Sequence, residues 1–186
     1  PKAYEALVTL LQTSNDAAQR GKEALAKLDR GADAIKKVPF IGGYVEDPTG
    51  LLVRPKAERH RRVYAERDLF EPGRAVLTAG GRERLDEAGP WLKGLRHTGS
   101  DIVVAAYADP KGTGGPAAQA ITRQQAEAVA DYLKTKHRAQ KLGDWGWFSG
   151  SRKVTPLGQG GAAPPLPEES PLPPARVEVL LFVPQG

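Results

Sequence analysis

The sequence contains no cysteine and no methionine, and only 6% of its residues are aromatic. Without cysteine it has no disulfide framework, no thiolate nucleophile and no thiolate-ligated zinc or iron–sulfur site. Histidine is almost as scarce. His60, His97 and His137 stand in different segments, with no metal-ligand spacing among them. No Ser occupies a Gly-x-Ser-x-Gly elbow, so a nucleophilic triad has no support. Asp101, Asp109, Glu168 and Glu178 show no spacing that singles out two as an acid/base pair. The expectation is a protein that is not an enzyme and needs no metal or cofactor. No apolar run approaches the roughly 20 residues that span a bilayer. The chain starts at Pro1 rather than Met, so a removed upstream anchor, signal or domain is expected.

What is abundant is glycine, 21 residues, and proline, 16 residues, in a chain of 186. Together with 40% apolar and 26% charged residues, they predict a small folded core with long irregular connections. The net charge of +5 favours anionic neighbours such as membrane surfaces, wall polymers or nucleic acid, and selects none of them. No nucleic-acid recognition motif is present, so no nucleic-acid partner is expected.

Residues 1–37 read as a helical stem. Leu7, Leu10, Leu11, Ala18, Gly21, Leu25, Leu28, Ala32 and Ile35 recur at spacings of three and four, a coiled-coil-like stripe. Residues 2–37 are therefore expected to self-associate or to bind a partner protein. Pro39, Gly42, Gly43, Pro48 and Gly50 then break the helix, and Leu51–Val53 reads as a short strand. Arg54, Lys56, Arg59, Arg61 and Arg62 make residues 38–61 a basic linker.

From residue 62 the pattern changes. Val63–Phe70 reads as a strand, residues 78–95 as a helix and Ile102–Tyr107 as a buried central strand. A helix from about Pro116 to His137 follows. Trp145 and Trp147 then mark an aromatic-rich insertion, and Arg152–Leu157 a weak strand. A proline-rich loop covers 158–174, and Val177–Val183 is a final strand. Residues 62–186 are thus read as one α/β (α+β) domain of order β-α-β-α-β-β. Gly112-Thr113-Gly114-Gly115-Pro116-Ala117 superficially matches a phosphate-cradling turn. Five residues, Tyr107 to Lys111, stand between the aliphatic part of the central strand and the first Gly, and Pro116 removes a donor amide, so a plain strand-to-helix loop fits better.

Five motifs in order carry a resemblance. They are Leu69-Phe70 followed by Leu77-Thr78, then Ala106-Tyr107-Ala108-Asp109, then Ile121-Thr122 followed by Ala126, Val129, Tyr132 and Leu133. Gly158-Gln159-Gly160 and Arg176-Val177-Glu178-Val179 complete the series. The stretch 62–183 resembles the OmpA-like (OmpA C-terminal/MotB-type) domain. The resemblance implies an OmpA-like sandwich, a periplasmic or cell-envelope location and peptidoglycan as partner. In that family an Asp and a helix Arg hold the diaminopimelate of the wall peptide, a carboxylate for its ammonium and a guanidinium for its carboxylate. Asp109 matches the Asp. Gln125 stands where the helix Arg would be, Ala118 replaces an Asn, and Thr122 replaces a Ser. Arg123 lies about 200° around the helix from Gln125 and cannot substitute. The expected ligand site is Asp109, Thr122, Gln125 and Arg176, with peptidoglycan binding weakened or lost. A strand-end or helix-capping carboxylate remains the alternative role for Asp109, and a protein-interaction domain with a degenerate pocket the alternative function.

A second resemblance rests on the stem, on Val38-Pro39-Phe40-Ile41-Gly42-Gly43-Tyr44-Val45 and on Leu51-Leu52-Val53-Arg54-Pro55. It is similar to the helical tail of MlaD/MCE-type lipid-transport proteins. That resemblance implies a membrane anchor and an MCE domain upstream, in a full-length protein held at the membrane.

Overall fold

The computed structural model describes residues 48–112, 114–143, 150–167 and 170–185, all within the unit Pro48–Gly186. The stem 2–37, its expected self-association and Trp145 and Trp147 lie outside the described residues. Four strands form one sheet: β1 Ala57–Ala65, β2 Asp101–Tyr107, β3 Val154–Gly158 and β4 Arg176–Pro184, in the order β1-β4-β2-β3. β4 runs antiparallel to both β1 and β2, and β2 runs parallel to β3. The helices are α1 Pro48–Leu52, α2 Glu66–Leu69, α3 Ala79–Asp86, α4 Ala88–Gly94 and α5 Gly115–His137. The class is α/β, with the β-α-β-α-β-β order read from the sequence. Among the described residues no helix is long and apolar enough to cross a membrane.

The unbroken apolar run of β2 needs two buried faces, and it has them. Ile102, Val104 and Ala106 pack with Leu85, Leu92, Val129 and Leu133 beneath the helices. Val103, Ala105 and Tyr107 point to the other face, against Leu52, Leu180 and Phe182. Helix α5 buries Ala118, Thr122, Gln125, Ala126, Val129, Ala130 and Leu133, one stripe at helical spacing. It ends where Arg138 turns left-handed at φ 49°.

Several elements differ from the sequence expectation. The first strand starts at Ala57 and stops at Ala65, so residues 57–61 belong to the sheet rather than to a linker. The reason is that this stretch pairs with β4, from Ala57 opposite Pro184 to Arg61 opposite Leu180, and the arginines around it are not simply solvated. Arg62 lies over the Trp91 ring at 5.2 Å, and the preceding Arg54 lies over Phe182 at 4.7 Å while pairing with Asp101 at 2.7 Å. Their long stems cover apolar surface while the charge finds a partner. Residues 66–69 form a helical turn instead of continuing the strand. Leu51–Val53 is not a strand, since Pro48 opens a single helical turn that buries Leu52. The helix expected over 78–95 is two, α3 and α4. Pro90 lacks the N–H that would bond Asp86, four residues back, so the helix cannot run through.

At the end of the sheet where β2 and β3 begin, one buried side chain joins three segments. Arg152 donates from Nε to the Ala139 carbonyl at 2.7 Å, from Nη1 to Leu95 at 2.8 Å and from Nη2 to Leu92 at 2.9 Å. Carbonyls near the C-terminal ends of α4 and α5, which those helices leave unpaired, are thereby satisfied.

Candidate functional site

The sequence-predicted site residues gather at the opposite end of the sheet. Tyr107 at the end of β2 pairs with Arg176 at the start of β4, which pairs in turn with Ala65 at the end of β1. Ala106 pairs with Gly158, the last residue of β3.

Asp109 follows β2 by two residues and is half-buried. Its Oδ1 accepts the Lys111 N–H at 2.9 Å and its carbonyl accepts the Gly112 N–H at 2.9 Å. One carboxylate oxygen therefore shapes its own turn, as an Asp in a loop commonly does. The loop is tied sideways. The Ala108 N–H donates to the Gly160 carbonyl at 2.7 Å, and the Gly160 N–H donates to Thr122 Oγ1 at 2.9 Å. Thr122 is buried and donates its own hydrogen to the Ala118 carbonyl at 2.8 Å. Thr122 thus pins the β3 loop to α5, and through Gly160 that loop holds the backbone beside Asp109.

The glycines of Gly158-Gln159-Gly160 have physical reasons. A Cβ on Gly158 would come within 2.5 Å of the Arg123 backbone nitrogen, so α5 rests directly on the strand end. Gly160 has φ +54°, and a Cβ there would also meet Gln119 Oε1 at 2.9 Å. Gln119 Nε2 donates to the Gly158 carbonyl at 2.6 Å, adding a second tie between helix and loop.

Gln125 sits one turn beyond Thr122 on the same buried stripe, only 1% exposed. Its Nε2 donates to Glu66 Oε1 at 2.7 Å. Glu66 is held in place by its own N–H, which donates to the Ala175 carbonyl at 3.0 Å. The position where the resembled family carries a guanidinium is thus a neutral amide already bonded to a carboxylate.

Arg176 goes elsewhere. On β4 it alternates with Val177 and Val179, which face the helices, so it lies on the other face of the sheet. Its Nε donates to Glu178 Oε1 at 2.6 Å and its guanidinium lies 4.2 Å from the Tyr107 ring centroid. Arg61 approaches the other oxygen of Glu178 at 3.7 Å. Asp109, Thr122 and Gln125 are therefore linked through one loop and one helix, while Arg176 shares their end of the sheet but not their face. Arg123 pairs with Glu127 at 3.1 Å on the outside of α5.

No sequence pattern pointed to Glu66 or Gln119. Glu66 is 59 residues from Gln125, and no periodicity links a helical turn after β1 to the middle of α5. Gln119 is a polar residue at an exposed helix position, one of several with the same local pattern.

No family model matches the chain, and no curated protein does. Solved structures do align with it. The periplasmic domain of Helicobacter pylori MotB is 13% identical, covering 70% of this chain and 86% of that one, with TM-score 0.48. The cell wall anchor of the T6SS from Pseudomonas aeruginosa is 18% identical, covering 74% and 92%, with TM-score 0.44. The OmpA-like domain of FopA1 from Francisella tularensis is 19% identical, covering 71% and 77%, with TM-score 0.40.

Proposed function

We propose that this chain is a non-catalytic cell-envelope module that anchors or scaffolds between membrane and wall. Its affinity for the diaminopimelate of peptidoglycan is weakened or lost. The five ordered sequence motifs support the envelope assignment. The observation that carries the weakened site is the buried Gln125–Glu66 hydrogen bond at 2.7 Å. A wall peptide end brings an ammonium and a carboxylate. Asp109 can still offer an oxygen to the ammonium. The carboxylate meets a neutral amide with one of its two N–H donors already given to Glu66, and Glu66 adds like charge. Replacing a charge-assisted pair with a neutral amide costs about 1–3 kcal/mol, or about one to two decades of affinity. The stem extends the reading to the C-terminal part of an MCE/MlaD-type lipid-transport protein held in the periplasm by an upstream membrane segment.

The test is co-sedimentation of the intact chain with purified peptidoglycan, beside Asp109→Ala, Gln125→Arg and the double variant Glu66→Gln/Gln125→Arg. In the single Gln125→Arg variant the new guanidinium pairs with Glu66, so little gain is expected. The double variant releases it, and binding should rise by about one to two decades. Strong binding by the unmodified chain, abolished in Asp109→Ala, refutes the weakened site. No binding by any variant points to the alternative, a protein-interaction domain on the same fold. The buried Gln125–Glu66 pair also favours that second reading.

A further inference from the structure

The two edges of the sheet are built differently. On β3 the Lys153 carbonyl accepts from the Ile102 N–H and the Gln159 N–H donates to the Ala106 carbonyl, so Pro156 falls in the outward phase, where it donates nothing. Gln119 of α5 bonds the Gly158 carbonyl in the same phase, and that edge is blunted. β1 has nine residues and no proline, and among the described residues no strand lies on its outer side. Its hydrogen-bonding phase is fixed at both ends. The Gln185 N–H donates to the Lys56 carbonyl at 3.0 Å, and the Glu66 N–H donates to the Ala175 carbonyl at 3.0 Å. The register between them, from Ala57 opposite Pro184 to Ala65 opposite Arg176, is unbroken. Even-numbered residues therefore bond β4, and odd-numbered residues turn their N–H and C=O outward. Ala57 gives its N–H to the Arg54 carbonyl at 3.1 Å. Arg59, Val63 and Ala65 aim theirs at the outer edge.

Charge decides which strand this edge suits. Residues 56–67 hold Lys56, Arg59, Arg61, Arg62 and Arg67, with His60, against Glu58 and Glu66. Both acids have partners, since Glu58 lies 3.3 Å from His60 and Glu66 accepts from Gln125. Charged side chains protect an edge from its own kind. Two copies of β1 paired antiparallel over 57–65 would set Arg61 opposite Arg61 and His60 opposite Arg62, and like charges directly opposite are unfavourable. The same cations suit a strand that carries carboxylates. The backbone then chooses among anions. Outward N–H and C=O groups repeat about every 7 Å along a strand, and only another extended peptide matches them. A nucleic acid or a lipid headgroup has no such row.

We propose that the outer edge of β1 takes an extended acidic segment of a partner protein as a fifth strand. Main-chain hydrogen bonds to Arg59, Val63 and Ala65 supply the pairing, and carboxylates facing the exposed Lys56 and Arg59 supply the selectivity. None of these residues belongs to the Asp109, Thr122 and Gln125 site, so the inference goes beyond the peptidoglycan reading and is decided separately from it.

The probe is the end-blocked peptide Val-Thr-Val-Glu-Glu-Thr-Glu-Thr-Val, titrated into the full chain while amide hydrogen exchange is followed by NMR. With peptide at ten times its Kd, the amides of Arg59, Val63 and Ala65 should exchange about tenfold more slowly. Those of His60, Arg62 and Tyr64, already turned to β4, should change little. The same peptide with Lys for Glu should bind at least about tenfold more weakly. So should the peptide N-methylated at its three Glu, which keeps the charge but loses donors. Lys56→Glu/Arg59→Glu should weaken binding about tenfold, and the charge-matched Lys93→Glu/Lys153→Glu, exposed elsewhere, should bind nearly as well as the unmodified chain. Circular dichroism checks that both variants are folded. Failure of the three outward amides to slow overturns the proposal. So does equal binding of the N-methylated peptide, or equal loss in the two variants, either of which reduces the effect to charge. Slow exchange of those amides before peptide is added overturns it too: a second copy holds the edge if the protection grows with protein concentration, and the chain's own residues hold it if not. Each of these failures leaves the wall reading standing, because the peptide contains no diaminopimelate and the variants leave Asp109 and Gln125 unchanged.

Discussion

Arg152→Met tests the packing argument most directly. Arg152 is 5% exposed and its guanidinium donates to three carbonyls at 2.7, 2.8 and 2.9 Å. No carboxylate neutralises it among the described contacts. Burial, with Arg96 nearby, pulls its pKa down to about 10, so it stays charged at neutral pH. The carbonyls near the ends of α4 and α5 act as its counter-charge. Methionine fills much of the volume but donates nothing, leaving three inward-facing carbonyls without a partner. Hydrogen bonds to a charged group are worth about 1.5–3 kcal/mol each, and the cost of burying the cation offsets part of that sum. The expected loss is about 3–5 kcal/mol. The readout is hydrogen exchange of the β2 amides, Ile102–Tyr107, in the full chain under native conditions. These amides report on this unit alone and should exchange about two to three and a half decades faster. Arg152→Lys, which keeps the charge but not the three-pronged donor, should fall between the two. Acceleration of less than one decade in Arg152→Met would refute the view that this guanidinium joins the three segments.

Four further outcomes follow from the same structure. Gly158→Ala should lower stability by about 1–3 kcal/mol, because the new Cβ meets backbone that cannot rotate away. Gly80→Ala, with open space in α3, should instead raise it by up to about 1 kcal/mol, and thermal melts of the pair check both. Glu178→Ala should cost about 3–5 kcal/mol, since it strands the buried Arg176 guanidinium, read by the same β2 exchange. Asp86 accepts from the Tyr132 hydroxyl and pairs with His137, both at 2.8 Å, and these contacts, Tyr132 first, hold its pKa below the usual carboxylate range. A depressed carboxylate pKa adds stability above the ordinary value and loses it as pH falls through the folded one. Asp86→Asn should therefore flatten the decline in melting temperature below about pH 4, and an unchanged acid limb would remove Asp86 from that role.

Much of the candidate site was legible in the sequence. The Asp109 position follows from a continuous apolar run ending in a turn, and Thr122 and Gln125 fall on the buried stripe because helix period alone assigns faces. The bond between Gln125 and Glu66 was not legible, because no local pattern joins residues 59 apart. The misplaced first strand has a different cause. Arginine reads as solvent-facing, and only the pairing with β4, with Arg61 reaching Glu178 and Arg62 lying over the Trp91 ring, shows that region to be a strand.

Local patterns in the chain were enough to set the α/β class, the order of elements from β1 to β4, and which faces of β2 and α5 are buried. Those properties depend on neighbours within a few residues, whose spacing sets periodicity and whose prolines and glycines set the breaks. Long-range packing decided the rest. It turned Arg176 to the face opposite Gln125, placed Glu66 on one amide N–H of Gln125, and through Arg152 tied the ends of α4 and α5 to the start of β3. Each of these is a meeting of groups far apart in the chain. Strand register and helix docking set such meetings, and no local propensity encodes them.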